Sequence, residues 1–174
     1  MRNDDYKMLS GLDLVMMEFP EDPACEYLDR QYMLGDRVLV APVMRRDGVV
    51  DFYLPLGKWT HLLSGETIDG GNWFRREYDF FSLPLFVREN SILALGARED
   101  ITVYDYAEDV TLRIYQLGDC KEADCRVCDS KGQTVLTAHA KRSGDTITVK
   151  LSGKADSVQV EQFGTDCRLE IGIE

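Results

Sequence analysis

The chain is short of several things that would announce a function. It has 20 basic residues against 31 acidic ones in 174, a formal charge of −11, and no cluster of Lys and Arg rises above that background. Phosphate-backbone binding needs a concentrated basic footprint, so no nucleic-acid partner is expected, and the acidity reads as a solubility feature. No apolar run approaches the roughly 20 residues that cross a bilayer, so no membrane helix is expected. The opening Met1-Arg2-Asn3-Asp4-Asp5-Tyr6-Lys7 lacks the basic-then-apolar order of a signal peptide. A cytoplasmic location is the resulting expectation, with residues 1–10 as a disordered polar arm.

Histidine is scarce too. His61 and His139 are the only two, and no Ser or Cys motif is set against either as a catalytic triad would require. His61 lies in Trp59-Thr60-His61-Leu62 and reads as a packed or hydrogen-bonded strand residue; His139 reads as strand surface. Two distant histidines do not make a zinc set. The five cysteines are an odd number without a signal sequence, which argues against a disulfide framework. Cys120-x4-Cys125-x2-Cys128, with Cys167 as a fourth member, does match an iron–sulfur spacing. Yet Glu122-Ala123-Asp124-Cys125-Arg126-Val127-Cys128 reads as a strand, which sends positions three apart to opposite faces. No metal or other cofactor is expected. Gly70-Gly71-Asn72 is a turn, and no phosphate loop with its Lys-Ser/Thr follows a glycine cluster.

What is present is β-pattern. A short apolar run over residues 12–19, broken by Asp13 and Glu18, fits a buried strand, although periodicity alone does not separate that from a helical segment. Asp22 can cap backbone N–H groups, Pro23 suits a first helical position, Ala24, Tyr27, Leu28 and Tyr32 fall at helical spacing, and Gly35 is a natural stop. These predict a helix over about 23–34. From Val38 onward, short β-rich runs follow one another at 38–43, 49–54, 60–63, 77–81, 85–88 and 92–95, punctuated by glycines. A second set lies at 101–104, 110–115, 123–128, 134–140, 146–151, 157–162 and 167–173. Thr146-Ile147-Thr148-Val149-Lys150-Leu151 alternates cleanly, one face buried and one wet. Ser130-Lys131-Gly132 and Ser143-Gly144-Asp145 read as hairpin turns. The predicted boundary is the polar stretch 96–100. The fold class is thus mainly β, with two small antiparallel β-sandwich domains.

Chemistry is harder to place. Acid/base work by paired carboxylates needs two carboxyl groups close together, one with a raised pKa. Glu18 and Asp22 flank the helix start, where Asp22 already caps; Glu26 and Asp29 lie on the helix surface near Arg30, and all four read as solvated side chains. Trp59, Trp73, Phe74, Tyr53 and Tyr78 offer a sugar-stacking platform, weighed against the usual core role of sandwich aromatics. Trp59 and Trp73 are the candidate carbohydrate-binding residues, and no catalytic residue is assigned.

Three segments carry a resemblance: Asp29-Arg30-Gln31-Tyr32-Met33-Leu34-Gly35-Asp36-Arg37-Val38-Leu39-Val40-Ala41-Pro42-Val43, Phe52-Tyr53-Leu54-Pro55-Leu56-Gly57-Lys58-Trp59, and Pro84-Leu85-Phe86-Val87-Arg88-Glu89-Asn90-Ser91-Ile92. Together they resemble glycoside hydrolase family 31, which holds α-glucosidases and α-xylosidases, and Tyr27 to Asp36 is most similar to the bacterial α-xylosidase branch. The resemblance covers about residues 15–165. It implies that residues 1–34 are an arm followed by a remnant of the last strand and helix of a (β/α)8 barrel, 35–98 a proximal C-terminal β-sandwich, and 99–174 a distal one. The family usually carries a Met-Arg segment just before the position of Met16-Met17-Glu18-Phe19-Pro20; here Asp13 falls near the arginine position. The family's two catalytic aspartates lie on earlier barrel strands, and no residue here matches their motifs.

The resemblance therefore implies a structural, catalytically silent region of a retaining α-glycosidase acting on α-xylosides or α-glucosides, whose partner is the missing barrel. The alternative is a free-standing carbohydrate-binding or protein-interaction module. Without barrel neighbours, residues 11–20 would expose an apolar strand edge, so that segment is expected to be disordered, repacked on the helix, or buried in a homo-oligomer.

Overall fold

A computed structural model describes residues 12–26, 28–96, 98, 109–129, 131–154 and 157–173. The expected arm over 1–10, Tyr27, Ser130, the strand at 101–104 and most of the 96–100 boundary lie outside them. The chain forms two compact units, one ending at Arg88 and the other beginning at Glu89. No described helix is long and apolar enough to cross a membrane.

The first unit builds a six-stranded sheet from β1 (Leu12–Asp13), β2 (Tyr32–Leu34), β3 (Val38–Val40), β8 (Leu85–Arg88), β5 (Lys58–His61) and β6 (Thr67–Asp69), in that spatial order. Every neighbouring pair in it is antiparallel. A two-stranded ribbon of β4 (Val49–Leu54) and β7 (Asn72–Glu77) packs on it. The core between them is aromatic: Phe52 of β4 is fully buried and stacks on Phe74 at 5.6 Å and on Phe86 of β8 at 5.2 Å. Val15, Met33, Leu39, Leu54 and Trp59 complete it.

The second unit is built by alternation. β9 (Ser91–Leu95), β10 (Val110–Tyr115) and β14 (Val158–Phe163) form one sheet; β11 (Glu122–Cys128), β12 (Thr134–Ser143), β13 (Thr146–Gly153) and β15 (Arg168–Ile173) form the other. Every second residue of the central strands turns inward: Val110, Leu112 and Ile114; Ala123, Cys125 and Val127; Leu136, Ala138 and Ala140; Ile147, Val149 and Leu151. A period of two is what a half-buried sheet demands. β12 and β13 join through the two-residue turn Gly144-Asp145. Strand Ser91–Leu95, which the sequence places with the proximal domain, hydrogen-bonds β10 here.

The mainly β reading holds, with three corrections. The helix expected over 23–34 is absent. Asp22 does cap, accepting from the Ala24 N–H at 3.1 Å, but only a 3-10 turn over Pro23–Cys25 follows. Residues 32–34 are strand instead, because Met33, fully buried in the core, pairs with Leu39 across the sheet. Gly35, with φ +62°, serves the β2–β3 turn and not a helix stop. Second, the strand expected at 77–81 lies earlier, as β7, and residues 78–84 are a loop. Third, the sheets are not wholly antiparallel: β14 runs parallel to β10, and β15 parallel to β13. In residues 12–19 the apolar run is split between β1 and a single helical turn, α1 (Val15–Glu18).

Gly48 marks a tight approach. Its φ is +73°, its carbonyl accepts from the Tyr78 N–H at 2.9 Å, and a Cβ there would sit 2.3 Å from the Tyr78 carbonyl oxygen. A Cβ on Gly35 would meet nothing within 4 Å. Gly35→Ala should therefore cost only the about 1 kcal/mol of a left-handed alanine, while Gly48→Ala should cost at least about 3 kcal/mol, strain and clash together. Urea unfolding of the two variants tests this; equal losses would contradict it.

Candidate functional site

The segment between the two first strands is fastened to β4 through one residue, Tyr53. Gln31, 5% exposed, donates from Nε2 to the Tyr53 carbonyl at 2.7 Å and accepts at Oε1 from the Tyr53 N–H at 2.8 Å. A side-chain amide thus supplies what a neighbouring strand would, and satisfies a backbone pair that burial would otherwise penalise. The Tyr53 hydroxyl donates to Asp22 Oδ2 at 2.9 Å, while Asp22 Oδ1 caps Ala24. The Tyr53 ring lies 5.6 Å from Trp73, its cross-strand partner on β7.

Two hollows flank this fastening. One, of about 440 Å³, is lined by Glu18, Phe19, Asp22, Pro23, Tyr53 and Leu56 among others. Arg88 stacks its guanidinium 4.6 Å above the Phe19 ring centroid. The other, of about 230 Å³, is lined by Leu28, Asp29, Arg30, Gln31, Asp51 and Trp73. The two titrations that move near the fastening both move away from neutrality. Burial, then the hydrogen bond to and charge of Asp22, push Tyr53 up to about 12; burial, then Asp22, push the Cys25 thiol up to about 11. Proton transfer at neutral pH wants the opposite displacement, so the arrangement suits binding and fastening.

The candidate sugar-stacking residues part company. Trp59 is 0% exposed, with its indole N–H donating to the Pro55 carbonyl at 2.8 Å, so it offers no face to a ligand and is corrected to a core residue. Trp73 is 60% exposed. Its solvent-facing position is set by the period of β7, whose alternate residues Phe74 and Arg76 turn inward. Phe74 packs on Phe52, and Tyr78 lies against His61 and Phe52. His61 is buried, within 2.9 Å of the Leu83 carbonyl at Nε2 and 2.8 Å of Ser64 Oγ at Nδ1. His139 lies on the outer face of β12, 2.7 Å from Asp124. Cys125 points into the core and Cys128 outward, as a strand requires. Among the described residues no group of three His, Cys, Asp or Glu could hold a metal ion. Sequence reasoning missed Gln31 and Asp51. The helix expected over 23–34 hid the first, since an extended segment alone lets Gln31 reach β4.

Residues 11–93 match the family model described as glycosyl hydrolase family 31 C-terminal domain, and residues 105–170 match that of the C-terminal domain of alpha-xylosidase YicI. Alpha-xylosidase XylQ of Lactiplantibacillus pentosus is 33% identical over 142 residues, covering 80% of this chain and 18% of its own. Alpha-glucosidase 2 of Bacillus thermoamyloliquefaciens is 30% identical over 122 residues, covering 69% and 15%. The solved GH31 alpha-xylosidase from Xanthomonas citri superposes with a TM-score of 0.68 at 24% identity, over 87% of this chain and 18% of that one, a likeness of fold. The chain spans less than a fifth of the length of these relatives.

The fastening makes a pH-resolved prediction. Gln31→Ala leaves a buried N–H and carbonyl without partners and should cost about 2–4 kcal/mol. Tyr53→Phe loses one hydrogen bond and should cost about 1 kcal/mol. Because the Tyr53 pKa is raised on folding, from 10.0 to about 12, its contribution is whole below pH 10 and disappears as pH rises through about 12. Chemical denaturation of wild type and Tyr53→Phe across that range should show the gap narrowing above pH 10 and closing or reversing toward pH 12; a constant gap would contradict the assignment.

Proposed function

The chain belongs to the C-terminal region of glycoside hydrolase family 31, and on that premise we propose that it is the accessory portion of a retaining α-glycosidase acting on α-xylosides or α-glucosides. The observation that carries this reading is the succession of two C-terminal family models over residues 11–93 and 105–170, in a chain less than a fifth as long as its relatives. In this reading the catalytic pair belongs to a (β/α)8 barrel outside these residues, and the chain supports that barrel without cleaving anything itself. The first unit, ending at Arg88, would be the proximal C-terminal domain and the second, beginning at Glu89, the distal one.

The surface around α1 supports the barrel as partner. Val15 is buried in the first unit's core, but Leu14, Met16, Met17 and Leu34 are all exposed, Met17 at 66%. Apolar side chains gathered on one short turn and the adjoining strand mark a face that something covers. Their register is fixed from within, because β1 pairs with β2 and Val15 anchors the turn.

The purified chain should show no turnover of an aryl α-xyloside or α-glucoside, and should gain it when co-expressed with the catalytic region that precedes it. Met16→Glu with Met17→Glu should abolish co-purification of the two pieces while leaving the chain's own unfolding free energy within about 0.5 kcal/mol of wild type. Turnover by the chain alone would overturn the reading. A dimer of the chain that the same pair of substitutions dissociates would give the face to a second copy.

A further inference from the structure

We infer that the hollow beside Trp73 is a binding site for one pyranose ring of a neutral carbohydrate. Which sugars are tried first rests on the accessory reading; the site itself rests on its own chemistry. Trp73, 60% exposed, presents its indole on the outer face of the β4–β7 ribbon. Beside it on the same face stands the buried Tyr53 ring at 5.6 Å and 52°, itself held by Gln31 and Asp22, so the indole has a fixed neighbour. The next cross-strand pair on the same face is Asp51 with Arg75, 3.7 Å apart. Asp29 and Arg30 lie on the hollow's opposite lining, contributed by the segment that Gln31 fastens.

A pyranose presents an apolar C–H face on one side and vicinal hydroxyls at its rim. The indole matches the first, as a large flat apolar surface. The carboxylates of Asp51 and Asp29 accept from hydroxyls, and Arg30 donates to hydroxyl or ring oxygens, exposed polar groups at the hollow's rim that can turn to meet a ligand. The charges around the indole balance: Asp29 pairs with Arg30 at 3.9 Å and Asp51 with Arg75 at 3.7 Å, so the hollow carries no net charge and suits a neutral ligand better than a phosphate or a quaternary ammonium ion.

The test uses the chain's own reporters. It has two tryptophans, and Trp59 is fully buried, so a ligand-dependent change in emission reports Trp73. D-xylose and D-glucose should each give a saturable change, while sorbitol, which has hydroxyls but no ring face, and choline should give none. Trp73→Ala should abolish the response with Trp59 emission intact, which shows the fold retained. Asp51→Asn should weaken binding by about tenfold or more, the loss of a charge-assisted hydrogen bond. The inference is overturned if neither ring sugar gives a saturable response, if the response survives Trp73→Ala, or if choline binds and the sugars do not. An inert chain that binds xylose keeps this inference whatever becomes of the accessory role, and a chain that functions with its barrel but binds no sugar loses it.

Discussion

Much of the first unit depends on how one strand edge is closed. Among the described residues, β4 has a strand partner on one side only, β7. At Tyr53 the other side is met by the Gln31 amide, which both donates and accepts. That exchange holds Gln31 against the ribbon, where Asp22 also meets the Tyr53 hydroxyl, and leaves Met33, two residues on in β2, positioned to enter the core. Without it, the 3-10 turn, the two flanking hollows and the ring beside Trp73 would have no common support. Edge strands invite unwanted pairing; here a side chain from the same unit takes the place a foreign strand would seek.

The two units reach stability by different means. The first concentrates large aromatics around Phe52, where stacking and edge contacts add to burial. The second spreads its core over small and branched residues alternating along four strands. Its parallel pairs, β10 with β14 and β13 with β15, stitch the chain's last segments onto central strands.

What the sequence disclosed follows from these differences. The second unit was legible because its strands alternate and its turns carry glycine: Val110–Tyr115 was read to the residue, and the Gly144-Asp145 turn falls where predicted. In the first unit Val49–Leu54 and Leu85–Arg88 were equally plain. The segment 23–34 misled because Ala24, Leu28 and Tyr32 fall at helical spacing, while the deciding interactions, Met33 on Leu39 and Gln31 on Tyr53, join residues far apart in the chain. Parallel pairing is equally non-local and leaves no turn signal. Of the candidate site, both tryptophans were visible, but only the packing of β5 and the outward phase of β7 separate the buried Trp59 from the open Trp73.

Sheet edge, exposed turn and family likeness are the three observations behind the proposed accessory role. Leu14, Met16, Met17 and Leu34 form the face it would lend to that enzyme, and Trp73 lies on a separate strand pair. The most direct measurement is the size of the native protein, by immunoblot of a source-cell extract with an antibody to this chain. The account predicts a band longer than these 174 residues by at least a barrel's roughly 250 residues. A band at the chain's own length, with no longer species, would contradict it.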